Sequence, residues 1–228
     1  MQAEHTQNMT ANELIARDIP ALLATQTGKD AFYLLGEHHI KHLPVVQDGR
    51  LLGVISEEDI FNHKIYDPVG AYDFSMIRRF AVRENEHFFE VIRILADNRL
   101  TAIPVVDEQG NYLGLITQTE LIRALAHTVS VAEEGAILLL DIPYRDYDLS
   151  TIARIIEEED VKILGAFVSS SQDSAALELT LKLNRTDIGG VIAALERRGY
   201  AIRSTYSERE HTDALRARYD ALMSYLNV

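Results

Sequence analysis

One stretch of this chain is written twice. Leu43-Pro44-Val45-Val46-Gln47-Asp48-Gly49 is followed by Leu52-Gly53-Val54-Ile55-Ser56-Glu57-Glu58-Asp59-Ile60. Further on, Ile103-Pro104-Val105-Val106-Asp107 leads to Leu113-Gly114-Leu115-Ile116-Thr117-Gln118-Thr119-Glu120-Leu121. Pro44 and Pro104 stand 60 residues apart and Gly53 and Gly114 stand 61 apart, so one extra residue has entered the loop at 108–111. A self-match at a fixed long period marks two copies of one supersecondary unit, each supplying half of a core.

Within the first copy, residues 30–35 seed a helix, with Asp30 near the positive helix end and Gly36 loosening its far side. Residues 43–46 and 51–55 are β-rich runs joined through Asp48-Gly49, a strong hairpin signal. Ser56 opens a short helix that runs to Phe61. The second copy predicts the same order: helix near 87–96, strands at 102–106 and 112–116, and a helix from Thr117 to about Ala126. Residues 62–75, with Pro68 and Gly70, read as a linker.

After Thr128 the pattern changes. A strand at 135–141, a helix at 149–159 capped by Asp148, strands at 161–170 and 176–184, a helix at 188–198 closed by Gly199, and a strand at 200–205 follow in turn. This β-α-β-β-α-β order is the split unit of ferredoxin-like folds. Ser207 and Glu210 have capping-box spacing for a last helix over 207–225, with an apolar stripe at Leu215, Tyr219, Leu222 and Leu226. The fold class is therefore mixed α/β (α+β), divided as a tail over 1–8, repeats over 9–66 and 67–130, a third domain over 131–206 and a terminal helix over 207–228.

The 228 residues are 47% hydrophobic and 25% charged, ordinary for a globular chain. A net charge of -13 argues against nucleic acid, which calls for clustered Lys and Arg, and against an anionic membrane surface. With no cysteine, disulfides, thiolate metal sites and thiol nucleophiles are excluded. Neither a signal-peptide pattern nor a spanning apolar run is present, so the expected location is the cytoplasm.

The paired repeats resemble a tandem of CBS domains, and the β-α-β-β-α-β segment is similar to an ACT domain. The two together look like a regulatory protein of the acetoin-utilisation B type. The resemblance covers about residues 9–206. It implies a cleft between repeats that binds an adenosine-containing ligand, with a Gly-apolar-apolar-Ser/Thr-x-x-Asp signature at the ribose. Gly53-Val54-Ile55-Ser56-Glu57-Glu58-Asp59 matches that signature in full. Ser56 and Asp59 would contact the vicinal diol, whose two donors one carboxylate can accept. The backbone of Ile40, Lys41, His42, Leu43 and Pro44 would hold the adenine edge, and Lys41 and His42 stand where related binders place phosphate contacts. The second copy departs from the pattern: Thr101 and Ala102 replace the basic pair before Pro104, and Thr117 is followed by Glu120 where the signature has Asp. It is the weaker site. Arg78 and Arg79, just ahead of the second repeat, are further candidates for ligand phosphate.

The same residues have a plainer explanation. Ser-x-x-Asp and Thr-x-x-Glu at helix starts are capping boxes that satisfy free backbone N–H groups. Capping alone accounts for Thr117 and Glu120 as readily as ligand contact does. Asp is less suited than Glu to reach back, so at Ser56 and Asp59 both roles are expected together.

His38 and His42 are spaced i, i+4, but Pro44 opposes helix at Leu43, and no metal site is expected. No phosphate-loop, dinucleotide or nucleophile-elbow motif occurs, nor any nucleophile, base and orienter set. The loop 144–149 lacks the Gly common in amino-acid-binding ACT domains. The reading is a non-catalytic sensor with no resident cofactor, binding AMP, ADP, ATP or another adenosyl ligand. It is expected to form a homodimer and to act on a regulated protein that the sequence does not name. A ligand-free scaffold and an amino-acid sensor acting through the ACT-like segment are the alternatives.

Overall fold

The computed structural model describes residues 9–74, 80–170 and 176–207. By packing, the chain divides into two units, Met1–Ala126 and His127–Val228.

The first unit holds both repeats. In the first, β1 (Leu22–Leu23) is followed by α1 (Gly28–Glu37), β2 (His42–Gln47), β3 (Arg50–Ser56) and α2 (Glu57–Phe61). The second reproduces this as β4 (Val82–Arg83), α3 (Phe88–Asn98), β5 (Ala102–Val106), β6 (Tyr112–Thr117) and α4 (Gln118–Ala126). Each sheet has three strands, with the short first strand parallel to the second and the next two forming an antiparallel hairpin. In the first hairpin Asp48 and Gly49 both take positive φ (51° and 78°), the demand of the two-residue turn whose twist matches its strands.

Several sequence expectations need correction here. Gly36 does not loosen α1, because the His38 amide still donates to the Leu34 carbonyl and the helix runs on to Glu37. The described part of the expected linker, residues 62–74, is also no free linker. Val69 is fully buried, Tyr72 nearly so, and the amides of Val69 and Gly70 donate to the carbonyls of Gln26 and Ala24. These residues finish the first repeat's core, together with Leu35, Leu43, Val45, Ile55 and Ile60.

The mirror of that arrangement lies at the other end. Ala11 and Leu14 are buried in the second repeat's core beside Val82, Val91, Leu95 and Ile103. The amides of Ala11 and Asn12 donate to Glu86 and Glu84, and that of Ala16 to Leu115. The segment before each repeat thus packs on the opposite repeat. Ala102 and Leu115 of the second repeat also sit in the first core.

In the second unit, α5 (Val129–Ala132) precedes β7 (Ala136–Pro143), α6 (Leu149–Glu158), β8 (Ile163–Ser170), β9 (Ala176–Leu183), α7 (Gly189–Arg197) and β10 (Ala201–Ser207). The sheet order is β10-β7-β9-β8, all antiparallel, the arrangement of a split β-α-β unit. Strand β7 alternates buried Ala136, Leu138, Leu140 and Ile142 with half-buried neighbours, and the buried set packs on Ile152, Ile155, Ile156, Val191 and Leu195 of the two helices. Asp148 caps α6 as expected, accepting from the amides of Ser150 and Thr151. Ser207 ends β10, pairing with Ala136, and the helix expected to follow it lies outside the described residues. Glu210 and the stripe from Leu215 to Leu226 lie outside the described residues.

Candidate functional site

Antiparallel pairing of β2 with β3 sets His42 opposite Ser56, and Ser56 is the N-cap of α2. Asp59, one helical turn later, closes on that cap. Its Oδ2 accepts from the Ser56 amide at 2.8 Å and from Ser56 Oγ at 2.7 Å, and its own amide donates to Ser56 Oγ at 3.3 Å. The box is reciprocal and complete. Asp59 is half-buried, and its backbone carbonyl also faces the Nδ1 of His63 at 2.7 Å.

An independent copy of this geometry exists where no ligand signature was read. At the start of α1, Asp30 Oδ2 accepts from the Thr27 amide and hydroxyl at 2.8 and 2.7 Å, and the Asp30 amide donates to Thr27 Oγ1 at 3.3 Å. These hydrogen bonds, from the Thr27 amide first, lower the Asp30 pKa. The Thr-x-x-Asp spacing is visible in the sequence, but Ala24-Thr25-Gln26 stands before it where the signature has Gly-apolar-apolar.

At the second site the expected preference is reversed. Thr117 is buried opposite Ala102, and its Oγ1 accepts from the Glu120 amide at 3.3 Å. Glu120 does not reach back. Its Oε1 accepts from Arg123 Nη1 at 2.6 Å, a partner one turn along the helix. The longer side chain finds a cation down the helix, whereas the shorter one has only the cap within reach.

The two half-sites meet through Thr101. Its Oγ1 accepts from the Lys41 amide at 2.8 Å and lies 3.1 Å from His42 Nδ1, and the Thr101 amide donates to that same Nδ1 at 3.1 Å. Lys41 and Thr101 are repeat equivalents, and residues near a two-fold axis meet their own counterparts. That relation is the signal by which the sequence could have revealed the contact. Burial, the largest influence, holds the His42 ring below its ordinary value of 6.5; nearby Asp59 opposes this and Lys41 adds to it. A ring held neutral is a poor cation for phosphate. Gln118 extends the same seam, its amide donating to the Thr101 carbonyl and its Nε2 to the Leu100 carbonyl at 3.0 Å.

Of the named candidates, Ile40, Leu43, Pro44, Ala102 and Pro104 are buried, Lys41 is exposed, and His42, Ser56, Asp59 and Thr101 gather at one end of the paired strands. Arg78 and Arg79 lie outside the described residues. Helix α1 stops at Glu37 and His39 is left-handed (φ 53°), so no helical pair joins His38 to His42. Among the described residues no group of three His, Asp or Glu could hold a metal, and no helix is long and apolar enough to cross a membrane.

A duplicated hairpin-and-helix unit, each copy packed on the other's leader, defines a paired module. The family model "CBS domain" matches residues 11–65 and 69–127, half of the chain. The chain belongs to the CBS-domain family. An uncharacterised protein of Methanopyrus kandleri is 24% identical over 134 residues, 56% of this chain and 68% of that one. An inosine-5′-monophosphate dehydrogenase of Thermoplasma acidophilum is 31% identical over 109 residues. That match covers 48% of this chain and only 22% of the dehydrogenase. Among solved structures, a CBS-pair protein of Arabidopsis thaliana is 25% identical over 52% of this chain and 94% of its own, with a TM-score of 0.43.

Proposed function

We propose that this chain is a non-catalytic regulatory sensor whose paired repeats bind an adenosine nucleotide or a related adenosyl ligand. The first-repeat site would take it: backbone of residues 40–44 at the base, Ser56 and Asp59 at the ribose. The observation that carries the reading is the family match over both repeats, together with the full signature at Ser56 and Asp59. In the capping box both Ser56 donors use Oδ2 of Asp59, so the reading assigns the diol to Oδ1. We place the sensor in the cytoplasm, and assign its second unit to an ACT-like domain that relays or receives another signal. The β-α-β-β-α-β order with sheet order β10-β7-β9-β8 supports that assignment.

Thermal-shift titration of the full chain tests the reading. AMP is the first probe, followed by ADP, ATP, NAD, S-adenosylmethionine and free amino acids. A ligand present at 100 times its Kd stabilises the native state by about 2.7 kcal/mol, so a bound nucleotide raises the melting temperature clearly. A flat response to every adenosyl compound refutes the sensor. A response to amino acids alone favours the second unit as the sensing element.

The sensor is proposed to be a homodimer. Phe32 and Phe61, packed edge to face at 5.7 Å, are exposed on α1 and α2, and Ile92 and Ile122 are exposed at the equivalent positions of α3 and α4. Beside the latter pair lies an apolar groove of about 310 Å³ lined by Leu95, Leu121 and Leu125 among others. Exposed apolar faces repeated within one chain favour self-association. Light scattering at micromolar concentration decides it: a mass near 25.7 kDa refutes the dimer.

A further inference from the structure

The seam between the repeats contains a hydrogen-bond chain whose polarity is fixed by its chemistry. The Lys41 amide can only donate, so Thr101 Oγ1 accepts from it at 2.8 Å. That leaves the Thr101 hydroxyl proton free to point at His42 Nδ1, 3.1 Å away. The Thr101 amide, again a donor only, meets the same nitrogen at 3.1 Å. Two donors converge on Nδ1. A proton there would face both of them, so Nδ1 has to be the bare, accepting nitrogen.

We infer that Thr101 of the second repeat is a positioning residue that clasps His42 of the first in the neutral form carrying its proton on Nε2, and that acid opens this clasp. The candidate ligand site then presents an uncharged ring donor, not a cation, beside Ser56 and Asp59. Phosphate selectivity there would rest on Lys41 and not on the ring. The Thr101 that seemed only a missing basic residue of the weaker site is a working part of the stronger one. Protonation of His42 puts N–H groups on both ring nitrogens and cancels the acceptor: the Thr101 amide then faces another donor, which opens the clasp, and the hydroxyl keeps its contact only by turning from donor to acceptor. The charged groups acting on the ring are Asp59 from α2, which favours protonation, and Lys41 next to it, which opposes it. The ligand consequence rests on the function proposed above, whereas the clasp itself is a property of the free chain.

Long-range 1H–15N correlation spectra of the full-length, ligand-free protein test it. At neutral pH the His42 ring should show a bare Nδ1 and a protonated Nε2. Its titration midpoint should lie below 6.5. Thr101→Val removes the hydroxyl donor while keeping shape and amide. It should move the midpoint up by about half a pH unit or more, the size expected for loss of one hydrogen bond to the neutral ring, and Thr101→Ser should restore it. A proton on Nδ1 in the unmodified chain overturns the inference, as does a midpoint that Thr101→Val leaves in place. Calorimetry with AMP is run in parallel. If the clasp behaves as stated and AMP does not bind, the ligand reading falls and the clasp stands; if AMP binds while Nδ1 carries the proton, the clasp alone falls.

Discussion

Replacing Asp59 by alanine removes two hydrogen bonds whatever else the residue does, because its Oδ2 accepts from both the amide and the hydroxyl of Ser56. Loss of such a cap costs about 1 kcal/mol, which lowers a melting temperature by about 4 °C in a unit of this size. If Asp59 also holds a ribose diol, the variant loses a charge-assisted contact worth about 1.5–3 kcal/mol, a roughly 10- to 150-fold rise in Kd. A stability change can lower ligand affinity indirectly, so the measurement needs a control. The chain supplies one in Asp30, whose box with Thr27 has the same three distances and lies outside the family signature. Asp30→Ala should therefore lower the melting temperature by a similar amount and leave AMP affinity within about twofold.

The assay is isothermal calorimetry with AMP on both variants, beside thermal melts of the same preparations. Asp59→Ala alone should show the large affinity loss. Equal affinity in both variants and the unmodified chain would remove Asp59 from the site and leave it a cap. Equal losses in both would show that helix capping, and not direct contact, controls binding.

Glu120→Asp should exchange the surface pair with Arg123, worth about 0.3–0.5 kcal/mol, for a reciprocal cap with Thr117, leaving the melting temperature equal or higher and nucleotide binding undiminished; a drop of several degrees would show that the Glu120–Arg123 pair matters more. Gly135→Ala should destabilise the second unit by about 3 kcal/mol or more, since a Cβ there would sit 1.8 Å from the Leu183 carbonyl oxygen. Gly36→Ala, inside α1 with open space around it, should stabilise by about 0.5–1 kcal/mol, and denaturant melts distinguish the two signs. Asp148 is held at a pKa of about 2, below its ordinary 3.8, by hydrogen bonds from Ser150 and then Thr151. A depressed carboxylate contributes stability that is complete above pH 4 and lost as pH falls toward 2. A carboxyl NMR titration with its midpoint above 3.8 would contradict this.

The parts of the fold that were legible in the sequence are those specified within a few residues. Asp48-Gly49 needs only its own backbone to dictate the hairpin, and Asp148 caps α6 through its immediate neighbours. The exchanged leaders were not legible, because nothing local in Ala11 or Val69 says which of two similar cores will bury it. The carboxylates failed for a different reason. Reach was judged from side-chain length alone, whereas Glu120 had a competing cation at Arg123 and Asp59 had none in the same position, Phe61 and Asn62 following it. His42 was read for its charge, yet its surroundings favour the neutral ring.

Comparing the two copies position by position shows where their differences fall. Leu35 and Leu95, Leu43 and Ile103, Val45 and Val105, Ile55 and Ile116, Ile60 and Leu121 are equivalent and all buried, each apolar in both repeats. At the seam the copies differ in chemistry: Lys41 stands against Thr101, His42 against Ala102, and Asp59 against the longer Glu120. In a symmetric pair position 101 would hold a lysine like Lys41, with no hydroxyl to give His42, which is why Thr101 and His42 work only as an unequal couple. The scaffold is twofold and its site is not. One clasp across the seam therefore ties the ring of the first half-site to the backbone of the second, through Gln118 donating to the Thr101 carbonyl. Whatever moves residue 101 reaches both half-sites through the same hydrogen bonds, one to Lys41, two to His42 and one to Gln118.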